Sequence, residues 1–201
     1  MHISEGVLSA PVLITGGVLA AAGTMIGLKK IDYDHIAQVG ILSASFFVAS
    51  LVHVPIGPAN AHLIMNGFVG LLLGWAAFPA ILVALLLQGV FFQFGGITTL
   101  GVNTIIMALP AVTSYYLFRP LLWKNQTTGL LGAFGTGFCA VFFSAVIVGA
   151  ALMFTETNFL EVAILVSAAH IPIMIIEGIV TAFCVAFLKK VQPAMLSGFR
   201  A

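Results

Sequence analysis

Charge is what this sequence lacks. Only 6% of its 201 residues are Asp, Glu, Lys or Arg, whereas a soluble domain carries roughly 25%. A water-facing surface cannot be built from so few charges, so the chain reads as an integral membrane protein, its 61% hydrophobic residues facing lipid or one another. Lys and Arg are missing from residues 1–28, where Glu5 is the one charged side chain. A cleavable signal peptide needs a positive stretch ahead of its apolar core, so the N-terminus is expected to be retained. There is no basic tract of the kind that grips nucleic acid. Cysteine is scarce too. Cys139 and Cys184 both lie inside apolar runs and read as small buried thiols rather than a disulfide or a metal pair. No Gly-x-x-x-x-Gly-Lys-Ser/Thr loop occurs, so any ATP hydrolysis must be a partner's.

What is present is a series of apolar runs, at 7–28, 36–54, 62–74, 76–94, 98–118, 128–154 and 158–188. A helix spans the bilayer with about 20 apolar residues, so an all-α membrane bundle of about seven helices is expected, with 1–201 as a single integral membrane domain. The third run is short and reads as a half-spanning or buried helix, tolerable where irregular backbone lines a site. Every basic residue falls in three places: Lys29 and Lys30, Arg119 and Lys124, and Lys189, Lys190 and Arg200. Seven spans put all three on one face, and six do not. By the positive-inside rule that face is cytoplasmic, with the N-terminus outside and the C-terminus inside the cytoplasmic membrane. On helix 1, Gly16, Ala20, Gly23 and Gly27, with Thr24 beside them, form a flat strip. It serves either packing within the bundle or docking of a membrane partner.

The same topology gathers polar groups at the outer face. Met1 and His2 begin there, His53 ends helix 2, and His62 begins helix 3 after the turn Ile56-Gly-Pro-Ala-Asn-Ala-His62. A free amine followed by histidine is a chelating unit: the Met1 amine, the His2 backbone nitrogen and the His2 ring can occupy adjacent positions around one metal. A fourth nitrogen, from His62, completes a square, and such tetragonal nitrogen sites suit Ni(II) or Cu(II) while Zn(II) prefers a tetrahedron. Co(II) is accommodated where the protein imposes the geometry. Glu5, His53, Asn60, Asn66 and Asn103 are candidates for the shell that orients these ligands. His170 and Glu177, seven apart beside Pro172, read as a packed polar latch in preference to a proton or ion relay.

The opening Met-His-Ile-Ser-Glu-Gly, the turn ending at His62, the stretch Thr98-Thr-Leu-Gly-Val-Asn103 and Ile171-Pro-Ile-Met-Ile-Ile-Glu177-Gly resemble the CbiM/NikM family. These are the substrate-binding membrane subunits of energy-coupling-factor transporters for cobalt and nickel. The resemblance implies seven helices with the N-terminal segment folded into the outer side of the bundle. It implies a metal held by Met1, His2 and His62, with Ni2+ or Co2+ as cargo, no cofactor and no catalytic residues. It also implies partners: a transmembrane coupling subunit, docked on the helix 1 strip, two cytoplasmic ATPases, and often a small accessory membrane subunit. The loop before His62, Gly57-Pro-Ala-Asn-Ala, departs from the serine-rich loop of cobalt members and leaves the metal open. Two rivals stand beside this reading. One is an intramembrane metal-dependent hydrolase using His53, His62 and His170, although no His-Glu-x-x-His pair occurs. The other is a substrate subunit of the same class for an organic vitamin, which needs an aromatic-lined pocket.

Overall fold

The computed structural model describes residues 2–56, 59–156 and 160–196, apart from the side chains of 53–62 and of Ala163. Helix α1 spans Ala10–Lys29 and α2 Ile36–Ala49. A two-stranded hairpin follows, β1 His53–Ile56 and β2 Ala59–His62, where the sequence suggested only a turn. Then come α3 Asn66–Leu73, α4 Ala77–Phe92, α5 Leu100–Phe118, α6 Gln126–Thr155, α7 Leu160–Ala169, α8 Ile171–Val191 and the short α9 Pro193–Leu196. Among the described residues five stretches are long and apolar enough to cross a membrane: Ala10–Lys29, Asn66–Phe92, Leu100–Leu121, Gln126–Thr155 and Leu160–Val191. The architecture is thus the expected all-α membrane bundle.

Helix α5 serves as a ruler of depth. Ile3 binds Asn103, Asn66 binds the Met107 carbonyl, and Gly74 sits beside Tyr115. Helix α3 therefore starts part-way down the bundle and runs alongside α5 to its far end. Its eight residues cover about 12 Å, less than half the ~30 Å hydrocarbon layer. The chain then reverses at Gly74, whose φ of 55° is open to glycine at no steric cost. Helix α4 climbs back, with Phe78 against Gly23 and Gln88 reaching His2. The apolar stretch Asn66–Phe92 is thus a half-helix plus a returning helix, as the short third run suggested.

Close backbone contacts lock α3 in place. A methyl on Gly70 would sit 2.4 Å from the Ala111 carbonyl oxygen, and one on Gly67 2.7 Å from that of Thr136. Where α3 begins, the Glu177 carboxyl group of α8 accepts the backbone N–H groups of Ile64 and Met65, the latter at 2.9 Å. Met65 is the N-cap of α3 and Ile64 precedes it, so the carboxyl group sits at the positive end of the helix dipole, where it is favoured. Glu177, 1% exposed, is therefore the latch, and its partner is the start of α3 rather than His170.

Two expectations are corrected. The last run is two helices, broken at His170. Pro172 in the first turn of α8 has no N–H to continue the ladder of α7. The strip on α1 is not a docking face. Gly16, Ala20, Gly23 and Gly27 are its buried residues, packed on Val102, Phe78 and Pro79 of the same chain, while Ile14, Val18 and Met25 on other faces are exposed.

The described basic residues gather at the end away from Ile3. Lys189 donates to the Leu122 carbonyl at 2.6 Å and lies over the Trp123 ring. Arg119 donates to the Tyr115 hydroxyl, and Trp75, beside Gly27, donates to Tyr116. Both cysteines are free thiols.

Candidate functional site

The site is built by folding residues 2–9 back onto the bundle. Burial of Ile3 and Leu8 supplies the drive, at about 25 cal/mol per Å2 of apolar surface removed from water. Side chains from three distant parts of the sequence fix the register. Asn103, 2% exposed in the first turn of α5, clamps one residue at both ends: its Oδ1 accepts Ile3 N–H at 3.0 Å and its Nδ2 donates to Ile3 O at 3.0 Å. Thr99 steadies the same amide at 3.2 Å. Glu5 accepts the Thr98 N–H at 3.1 Å, and the Thr155 hydroxyl at the end of α6 accepts Ser9 N–H at 3.3 Å.

The loop after α4 is shaped to let this segment in. Gly95 has φ 82°, and a methyl there would sit 2.7 Å from Asn103 Nδ2 and 3.8 Å from His2 Cβ. A methyl on Gly96 would collide with Glu5.

His2 itself rests on Gln88. Its Nε2 lies 2.8 Å from Gln88 Oε1. An amide oxygen only accepts, so Nε2 carries the hydrogen and Nδ1 carries the lone pair of the neutral ring. Burial, the largest cause, drives the His2 pKa down to about 3 against the smaller opposing effect of the Gln88 bond. The ring is therefore neutral, the form in which imidazole binds metals. Phe94 packs on it with ring centroids 5.9 Å apart.

Gln88 is the residue that the sequence reading missed. It is fully buried and is the one polar side chain in α4, which was a legible signal. Its Nε2 has no hydrogen-bond partner among the described residues.

The other expected residues are placed as follows. Met1 lies outside the described residues. His62 ends β2 and is the cross-strand partner of His53, while Asn60 pairs with Pro55; the side chains of these hairpin residues also lie outside the description. Asn66 sits deeper, its Nδ2 donating to Met107 O and Ser144 Oγ, so it secures α3. Glu177 holds Ile64 and Met65, two and three positions beyond His62. His170 shares a cavity of about 290 Å3 with His2, Ser4 and aliphatic side chains. Among the described residues no three His, Cys, Asp or Glu side chains converge as a metal cluster. A donor set of amine, backbone nitrogen and two imidazoles does not take that form.

Known proteins share this plan. The family described as the cobalt uptake substrate-specific transmembrane region, CbiM, matches residues 2–195. A Haemophilus influenzae relative named as a metal transport protein is 41% identical over 200 residues, covering 98% of this chain and 97% of that one. The fused nickel transport protein NikMN of Rhodobacter capsulatus is 41% identical over 118 residues, 54% of this chain and 33% of that one. A crystal structure of a transition metal transporter superposes with a TM-score of 0.77 at 29% identity, covering 95% of this chain and 93% of the other. The chain therefore belongs to the CbiM/NikM family, the substrate-specific membrane components of cobalt and nickel uptake.

Proposed function

We propose that this chain, one integral membrane domain over 1–201, captures Co(II) or Ni(II) at the extracytoplasmic face for ATP-driven uptake. The donors are the Met1 amine, the His2 backbone nitrogen, His2 Nδ1 and a ring nitrogen of His62. The observation that carries this reading is the His2–Gln88 hydrogen bond at 2.8 Å. It leaves Nδ1, the nitrogen nearer the backbone, as the donor, which is the one that closes a compact ring with the His2 backbone nitrogen. Metal-binding histidines commonly donate their other ring N–H to such an acceptor, which fixes tautomer and orientation.

Asn103 and Glu5 serve as supports, through Ile3 and the backbone at Thr98. Asn66 supports His62 from beneath by fixing α3, with His53 and Asn60 assigned to the hairpin. The cationic end, bearing Lys29, Lys189 and their neighbours, faces the cytoplasm, so the N-terminus lies outside and the C-terminus inside. A transmembrane coupling subunit, two cytoplasmic ATPases and a small accessory membrane subunit complete the energy-coupling-factor transporter. The cavity beside His2 is lined by aliphatic side chains, Ser4 and two imidazoles, with no Phe, Tyr or Trp among them, which argues against the organic-vitamin reading and its aromatic pocket.

The test is calorimetric binding of Ni(II), Co(II) and Zn(II) to the protein with a native N-terminus and a C-terminal tag. A variant with one Gly inserted before Met1 runs beside it. One Ni(II) or Co(II) per chain, lost on insertion, is the expected result. Binding indifferent to the insertion overturns the amine as a ligand.

A further inference from the structure

The cavity beside His2 has a second imidazole that the chelate does not use. One wall comes from the N-terminal segment, with His2, Ser4 and Val7. The other comes from α6 and the α7–α8 break, with Val148, Val166 and His170. At roughly 30 Å3 per water, this half-open cavity has room for up to about ten waters. That is room for a divalent ion with most of its hydration shell.

His170 is prepared for metal. Its Nδ1 lies 2.6 Å from the Val166 carbonyl oxygen. A carbonyl only accepts, so Nδ1 carries the hydrogen and Nε2 the lone pair. Among the described residues Nε2 has no hydrogen-bond partner. An imidazole anchored through its far nitrogen to a backbone carbonyl is the arrangement by which metal-binding histidines are held. Its place at the helix break, where α8 starts afresh, sets the ring on the cavity wall.

Resting on the reading of His2 as the final ligand, we propose that His170 Nε2 is a transient ligand for the incoming divalent ion. The ion exchanges a water for His170 in the cavity and then passes to His2. Apart from the weakly binding Ser4 hydroxyl the cavity side of His170 is aliphatic, so one imidazole holds the ion only briefly. The chelate at His2 must lose a backbone proton and form fused rings, a slow assembly. A partly dehydrated ion waiting across the cavity raises the local concentration for that step. His170 thus governs rates rather than affinity.

The test is stopped-flow mixing of Ni(II) with the full chain, native N-terminus intact, in detergent, following metal–nitrogen charge-transfer absorbance. The variant is His170→Asn, whose amide N–H can keep the Val166 contact while removing Nε2. His170→Gln, which restores an acceptor at that reach but no imidazole, is the second. Both are checked for a monodisperse folded peak. In His170→Asn the association rate is expected to fall by about tenfold, a small part of what holding a reactant close to its partner can give. Dissociation slows in parallel, and the equilibrium affinity and one-to-one stoichiometry stay the same. Unchanged rates in the variant, with the wild type binding one ion, overturn the proposal. So does a collapse of affinity at an unchanged association rate, because His170 would then belong to the final coordination. A wild type that binds no ion, or that binds regardless of a Gly inserted before Met1, fails the chelate reading and this proposal with it, and that pattern is separate from the other two.

Discussion

Two short segments of this chain cross nothing, and they are held in opposite ways. Residues 2–9 lie at the end of the bundle and are fixed by side chains that reach out to them: Asn103 to Ile3, Gln88 to His2, Thr155 to Ser9. Residues 64–73 lie inside, fixed by backbone-close packing at Gly67 and Gly70 and by the buried Glu177. A net hydrogen bond is worth about 1 kcal/mol, so the first segment hangs on a few removable ties. The second sits in a packed interior, where forced expansion costs about 1–3 kcal/mol or more per site. The difference teaches how the proposed site could both grip and release a metal. On that reading His2 rides on an element that can leave, and His62 lies just ahead of one that cannot.

The comparison breaks most violently at Glu177. Glu177→Ala strips two backbone N–H groups of their acceptor, at about 1–3 kcal/mol each for a buried unsatisfied group. The expected result is a large fall in thermal midpoint together with loss of Ni(II) or Co(II) binding. A variant of wild-type midpoint would show that α3 needs no latch.

Gln88→Leu acts on the removable segment. It deletes the acceptor for His2 and also removes a buried unpartnered Nε2. Metal affinity should fall about 10- to 100-fold, as when such a supporting acceptor is lost. The thermal midpoint should hold or rise, and affinity and midpoint falling together would make Gln88 a structural residue only.

The mildest separation comes from acid. Undocked His2 takes a proton at its ordinary pKa of 6.5, whereas docked His2 resists until about 3. Docking of the metal-free segment is therefore at full strength above pH 6.5 and weakens as pH falls toward 3. Hydrogen exchange, corrected for its intrinsic pH dependence, should show Ile3 N–H losing protection across this window. Met65 N–H, held by the interior, should keep its protection. Equal losses at both positions would mean that the two segments respond as one.

Much of this was legible in the residues. The scarcity of charge demanded a membrane bundle, and the clustering of Lys and Arg marked one end. The shortness of 62–74 announced α3, and Met1-His2 with His62 stood out as nitrogen donors. Asn103 was named from its place at an outer helix start, and it proved to clamp Ile3. Gln88 is less legible because it belongs to no histidine motif or loop, although a lone amide in a sixteen-residue apolar helix carries its own cost of burial. The strip on α1 left packing and docking both open, because small residues permit close approach without naming what approaches, and its burial decides for packing. Pro172 marked a kink, but that it parts α7 from α8 was not legible, because apolar character runs through the break.

The sequence by itself determined that the chain lives in a bilayer, which end bears its positive charge, and which residues carry nitrogen donors. Those are sums over local composition, and they follow from desolvation and hydrogen-bonding capacity residue by residue. Only the tertiary structure decided that Gln88 meets His2, that Asn103 meets Ile3, that Glu177 caps α3 rather than pairing with His170, and that His170 and His2 line one cavity. These contacts join residues between 86 and 168 positions apart (His2 to Gln88, and His2 to His170). No local rule encodes them, because they depend on how every helix between is packed.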